Sequence, residues 1–186
     1  MKPIKIYVAG KVSNDSVFGT HDWRDKFLDS ITALSGLKFI NYDPVKKKDI
    51  TGAHDPYRVF GGDLFLISKV DVVVVYFSDD VSVGASQEVL VGQYFNKPII
   101  GLAPKGGKFN GGIKKVGRHT IKNYHHPFAF GTCDLVVGDI EELAEALKNL
   151  HKIKAKGIHL IKEATDTFEK EHLKKDAYVS ELIKNE

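Results

Sequence analysis

Glu88 lies in the segment GASQEVLVGQYF, four residues after Gly84 and six after Ser82, and Asp63 lies in GGDLFLISKVDVVVVYF, eight residues before Asp71. Two carboxylates brought into one crevice can divide a task. One stays ionised to attack or stabilise an electron-deficient carbon and the other manages protons, which is what cleavage of a glycosidic bond requires. Gly84 would let backbone come close to a ligand. The amides at the start of the helix carrying Glu88 suit an anion, and the hydroxyls of Ser82 and Ser86 would add donors there. The same residues also have plainer readings. Glu88 fits a solvent-facing acid in a first helical turn, favoured by the helix dipole, and Asp63 fits the edge of an apolar stripe or a cap on a neighbouring element.

The elements that must position these groups follow from periodicity. Residues 4–9, IKIYVA, alternate as a first strand that ends at Gly10 and carries Tyr7 near its carboxyl end. Trp23, Phe27, Ile31 and Leu34 are spaced as a helix over residues 22–34, stopped by Gly36. Residues 37–42 form a second strand, ended by Asp43-Pro44, and the Lys46–Lys48 run reads as a solvated loop. Phe60, Leu64, Ile67 and Val70 mark a buried stripe on a helix over 57–70, and Asp63 shares that face. Residues 70–77 are the central strand, 83–95 a helix and 98–102 a further strand. A continuous apolar run such as Val72 to Val75 belongs to a parallel sheet covered on both faces. Right-handed crossovers put all its strand ends on one side. Ligands of such sheets bind outside the carboxyl ends, where Tyr7 and residues 78–88 then meet.

Residues 105–133 contain six glycines, six Lys or Arg, three His and no acid, and are expected to form a long mobile connection of positive potential, suited to a solvated excursion or a lid. His125 and His126 lack partners at metal-site spacing, so no metal is expected. Residues 134–137 read as a fifth strand and 139–150 as an amphipathic helix. Residues 151–186, with eight Lys and seven acids, read as one or two helices that wrap back or pair subunits. The expected architecture is therefore α/β: a Rossmann-like or flavodoxin-like three-layer sandwich with a five-stranded parallel sheet over residues 1–150, plus a C-terminal helical extension over 151–186.

Composition narrows the class. A chain of 186 residues, 42% hydrophobic, can bury one good core. A net charge of +3 is too mild to argue for a nucleic-acid polymer, and anionic small molecules remain suitable ligands. A single cysteine, Cys133, excludes an intramolecular disulfide framework and fits a reducing compartment. No run approaches the length needed to span a bilayer and the N-terminal apolar run is too short for a signal peptide, so a cytoplasmic protein without membrane contact is expected.

IYVAGKVS, DWRDKF, DLFLISKVDVVVVYF and GASQEVLVGQYFNKPII together resemble the nucleoside 2-deoxyribosyltransferase superfamily, including its branch of 2'-deoxynucleoside 5'-monophosphate N-hydrolases. The resemblance spans roughly residues 4–103 and, more loosely, LVVGDIEELAEAL near residue 140. It implies that Glu88 is the nucleophile that attacks C1', that Asp63 transfers a proton to the departing base, and that Tyr7 holds the nucleophile in place. Gly10, Lys11, Ser82, Gly84 and Ser86 become substrate-binding candidates. Where the transferase branch typically has an Asp that binds sugar hydroxyls, this chain has Ser82, which in the monophosphate hydrolases contacts the 5'-phosphate. The chain also departs from the family at Ala85, where many members have Thr, and at Val89-Leu90, which replaces Leu-Gly. The resemblance further implies a homodimer or higher homo-oligomer, a small nucleoside or nucleotide as partner, and no cofactor. Rival readings are a free-nucleoside transferase, a phosphoribohydrolase of the cytokinin-activating kind, whose Pro-Gly-Gly turn is absent here, and a nucleotide sensor without turnover.

Overall fold

The computed structural model describes residues 2–10, 23–46, 55–77 and 82–184. Strands and helices alternate first: β1 (Ile4–Ala9), α1 (Trp23–Ser35), β2 (Phe39–Asn41), α2 (Pro56–Lys69), β3 (Val72–Tyr76), α3 (Val83–Tyr94) and β4 (Ile99–Leu102). Next come β5 (Lys105–Gly107), β6 (Asn110–Val116), β7 (His119–His125), α4 (Pro127–Thr132), β8 (Leu135–Val137), α5 (Ile140–Lys148), α6 (Leu160–Glu171) and α7 (Ala177–Lys184).

β2, β1, β3, β4 and β8 pair side by side in that order, all parallel. This is the flavodoxin-like winding, in which the order reverses between the first and third strands and opens a crevice at their carboxyl ends. Tyr7 pairs with Val73 and Ala9 with Val75 across that switch point.

Because strand side chains alternate, the sheet feeds two separate cores. Ile6, Val8, Val72 and Val74 pack with Trp23, Phe27 and Ile31 of α1 and with Leu143 and Leu147 of α5. Tyr7, Ala9, Val73 and Val75 point the other way, to Ile67 of α2, Ala85 and Val89 of α3 and Ala129 of α4. The three-layer sandwich is thus present, with α1 and α5 on one side and α2, α3 and α4 on the other.

Two expectations need correction. α2 begins cleanly, with Pro56 in its first turn and Asp55 accepting from the amides of Tyr57 and Arg58. Its expected apolar stripe, however, is buried only at Ile67 within the helix, and Phe60 is 51% exposed. Periodicity identifies residues that share a face, but not whether the chain covers that face. Residues 105–133 are not a structureless connection either. β5, β6 and β7 form a second, three-stranded sheet followed by α4. The glycine content that suggested mobility serves this ribbon: Gly106, Gly111 and Gly117 all take positive φ. Its base is anchored, with Phe109 buried 5.5 Å from Phe77 between ring centroids and Asn110 Nδ2 donating to the Ala103 carbonyl at 2.9 Å.

The segment before α6 is fastened by polar contacts. The fully buried Gln93 donates to the Thr132 carbonyl and to Asp134 and accepts from the Gly157 amide, while Asp134 accepts from the Lys156 and Ile99 amides. Beyond it α6 buries only Leu160, and α7 buries no residue. No helix among the described residues is long and apolar enough to cross a membrane.

Candidate active site at the carboxyl ends of β1 and β3

Glu88 reaches the crevice because α3 starts directly past the carboxyl end of β3. Ser82 caps that start: it has extended backbone and its Oγ accepts from the Ala85 amide at 3.1 Å. Glu88 then falls in the second turn, half-buried on the side facing β1. There Tyr7 Oη donates to Glu88 Oε1 at 2.7 Å, across 81 residues of chain. A hydroxyl donating to a carboxylate at this distance is a charge-assisted bond, stronger than a neutral one.

Tyr7 is fully buried. Burial, then the negative charge of Glu88 and the hydrogen bond to it, and then the charge of Asp63, hold the phenol's pKa well above the ordinary tyrosine value, with Arg24 opposing weakly. The phenol is therefore a permanent donor at neutral pH. It aligns the carboxylate and does not compete with it for protons. Asp63 is half-buried on α2, which packs against both β1 and α3, and its charge acts on the same phenol. Three residues far apart in sequence, Tyr7, Asp63 and Glu88, thereby share one electrostatic environment.

The binding candidates are placed less evenly. Gly10 follows β1, where a Cβ would come within 3.1 Å of the buried Trp23 ring, a contact that the ring would have to yield to by a few tenths of an ångström. At Gly84 a Cβ would sit 3.8 Å from Glu88 Oε1, an ordinary contact, so the protein itself does not demand glycine there. Ser86 is exposed and donates to the Val83 carbonyl at 2.8 Å, which turns its hydroxyl onto its own helix. Lys11 and residues 78–81 lie outside the described residues. His125 and His126 belong to the base of the ribbon, stacked near Phe130 and Phe109 respectively.

Arg24, outside the residues picked out by sequence, is buried at the start of α1. Residues 24, 27, 28 and 31 share one helical face, and the last three are buried apolar residues, so a buried cation was legible in that spacing.

No protein-family model matches the chain and no curated protein matches it significantly. Solved structures do. A conserved protein from Enterococcus faecalis V583 superposes with a TM-score of 0.59 at 17% identity, over 80% of this chain and 99% of that one. A 2-deoxyribosyltransferase from Bacillus psychrosaccharolyticus gives 0.53 at 15% identity, over 81% and 98%. A 2-deoxyribosyltransferase from Leishmania mexicana gives 0.51 at 18% identity, over 81% and 99%. With nearly the whole length of each of these proteins matched, this chain has the fold of the 2-deoxyribosyltransferases.

Proposed function

We propose that this protein is an enzyme of the nucleoside 2-deoxyribosyltransferase superfamily that cleaves the N-glycosidic bond of nucleosides or (deoxy)nucleoside 5'-monophosphates through a covalent intermediate on Glu88. The observation that carries this reading is the 2.7 Å hydrogen bond from the buried Tyr7 phenol to Glu88 at the switch point of the sheet, with the charge of Asp63 acting on the same phenol.

In the first step the Glu88 carboxylate attacks C1' and the C1'–N bond breaks, its electron pair leaving with the base, which takes a proton relayed from solvent by Asp63. The product is a glycosyl ester. In the second step water or the nitrogen of another base attacks C1' and gives up its proton to solvent through Asp63, the ester C1'–O bond breaks, and the Glu88 carboxylate is regenerated. Tyr7 donates throughout to the nucleophile, fixing its direction of approach. The carboxylates suffice for this chemistry, and no cofactor is invoked.

Ser82 supports a 5'-phosphate on the substrate. Its oxygen is used as the cap of α3, but its hydroxyl hydrogen donates to no described group, and it stands at a helix start whose amides favour an anion. Exposed apolar side chains on α2 and α3, among them Phe60, Phe65, Val83 and Tyr94, support a homo-oligomer, and a monomer by light scattering at working concentration would contradict it.

The test is to incubate the protein with a panel of nucleosides and 5'-monophosphates and follow free base by chromatography. Release by wild type and none by Glu88→Ala is the expected result. Binding without release by wild type would replace the enzyme with a nucleotide sensor.

A further inference from the structure

Arg24 is 3% exposed, in a helix face otherwise filled by Trp23, Phe27, Leu28 and Ile31. Its Nε donates to the Val8 carbonyl at 2.8 Å and its Nη2 to the Gly10 carbonyl at 3.1 Å. The guanidinium stacks 4.8 Å over the Trp23 ring and lies 4.0 Å from the buried carboxylate of Asp43. Its remaining nitrogen, Nη1, is buried without an acceptor.

The arrangement contributes to stability, since Arg24 gives the Val8 and Gly10 carbonyls a donor and faces the buried Asp43 carboxylate, while one of its own nitrogens stays unsatisfied. What the residue achieves is also specific. It crosses the carboxyl end of β1 and ties down the carbonyls of residues 8 and 10, immediately past Tyr7. They lie at the end of β1 before the switch-point crevice, where the strand has run past β2 and is paired on its β3 side alone.

We propose that Arg24 is a positioning residue for the Tyr7–Glu88 pair: by clamping the carboxyl end of β1 it fixes the Tyr7 phenol at the distance and direction needed to orient Glu88. The proposal rests on the reading of Glu88 as nucleophile for its kinetic consequence, but not for its structural one. A lysine keeps the charge at position 24 but not the planar fork that spans two carbonyls. Arg24→Met keeps the volume and loses both.

Two measurements on the full chain test it. In the first, base release is followed for wild type, Arg24→Met, Tyr7→Phe and the double variant, with unfolding curves to establish that each is folded. Arg24→Met lowers kcat at least 10-fold with less than a 3-fold change in KM. In the Tyr7→Phe background the same substitution costs less than 3-fold, because the group through which it acts is gone. Equal costs in the two backgrounds, or full activity of Arg24→Met, overturn the proposal. Should Arg24→Met not fold, Arg24→Lys takes its place, with the same non-additivity expected. In the second, the Tyr7 Cζ resonance is observed by NMR in protein labelled at tyrosine Cζ and assigned with Tyr7→Phe. It moves in Arg24→Met towards its position in Glu88→Gln. A moved resonance in a protein that releases no base keeps the clamp and sinks the enzymatic reading; an unmoved one in an active enzyme does the reverse.

Discussion

The two faces of β1 are equally buried but meet different neighbours. Ile6 and Val8 have no exposure and pack with apolar side chains of α1 and α5, beside which Arg24 is buried. Tyr7 is just as buried, but one residue along, on the face where α2 and α3 bring carboxylates. Burying a phenolic hydroxyl without a partner is costly, so its position on that face depends on Glu88 accepting from it. Burial alone thus does not distinguish a stability residue from a candidate catalytic one. What sets Tyr7 apart is the carboxylate that accepts from its hydroxyl.

The sharpest way to break this contrast is a matched pair of substitutions. Glu88→Gln is expected to lower base release by at least about 10³-fold, the loss typical of removing a nucleophile, with little change in the unfolding midpoint. Phe27→Ala, on the opposite face, is expected to cost about 3–5 kcal/mol in denaturant unfolding while kcat of the folded fraction stays near wild type. If Phe27→Ala reduced kcat as strongly as Glu88→Gln, the apolar packing of that face would not be separable from the candidate site.

Tyr7→Phe comes next, with an expected loss of about 10–100-fold in kcat under the proposal that its phenol orients Glu88 without reacting. It also carries a stability signature. The folded protein holds the Tyr7 proton above the ordinary tyrosine pKa near 10. Above pH 10 the unfolded chain releases that proton and the folded chain keeps it. The stabilisation is therefore full below pH 10 and declines as pH rises above it. Denaturant midpoints between pH 8 and 11 should fall more steeply for wild type than for Tyr7→Phe, and parallel curves would mean the phenol is not held as described.

Ser82 separates the anchoring of α3 from recognition. Ser82→Asp keeps an N-cap acceptor and adds a negative charge, so stability changes little while preference moves from monophosphate towards free nucleoside. Ser82→Ala should cost about 1 kcal/mol through the lost cap. Equal effects of Ser82→Asp on both substrates would remove the phosphate from the proposal.

The sheet was legible because its signals are local and redundant. The alternation of IKIYVA and the run from Val72 to Val75 specify buried parallel strands, and crossover handedness then brings Tyr7 and Glu88 to one edge. The ribbon was not legible, because glycine in a loop and glycine at the positive-φ turns of a small sheet look alike in composition. The exposed ring of Phe60 was missed for another reason: periodicity assigns a face without stating what covers it. Arg24 lay between these cases. Its place in the buried stripe was readable, but the two carbonyls it binds come from a different element and only the fold brings them near.

The smallest expected effect concerns Cys133, which is buried on the same face as Tyr7. Burial first, and then the negative charge of Asp134, push its thiol up to about 12. At pH 8 only about one molecule in 10⁴ would carry the thiolate, the form that reacts. Cys133 therefore differs from Tyr7 in purpose: its neighbours, such as the backbone of Gly101, leave no room beside the sulfur, and a Cβ added there would meet Sγ at 3.1 Å. Alkylation of the native protein at pH 8 is expected to be at least about 100-fold slower than in denaturant, with base release unchanged by the reagent. Rapid native labelling that also stopped base release would add a reactive thiol to the crevice face, and polar burial on that side of β1 would then mark function more generally than the carboxylate facing Tyr7.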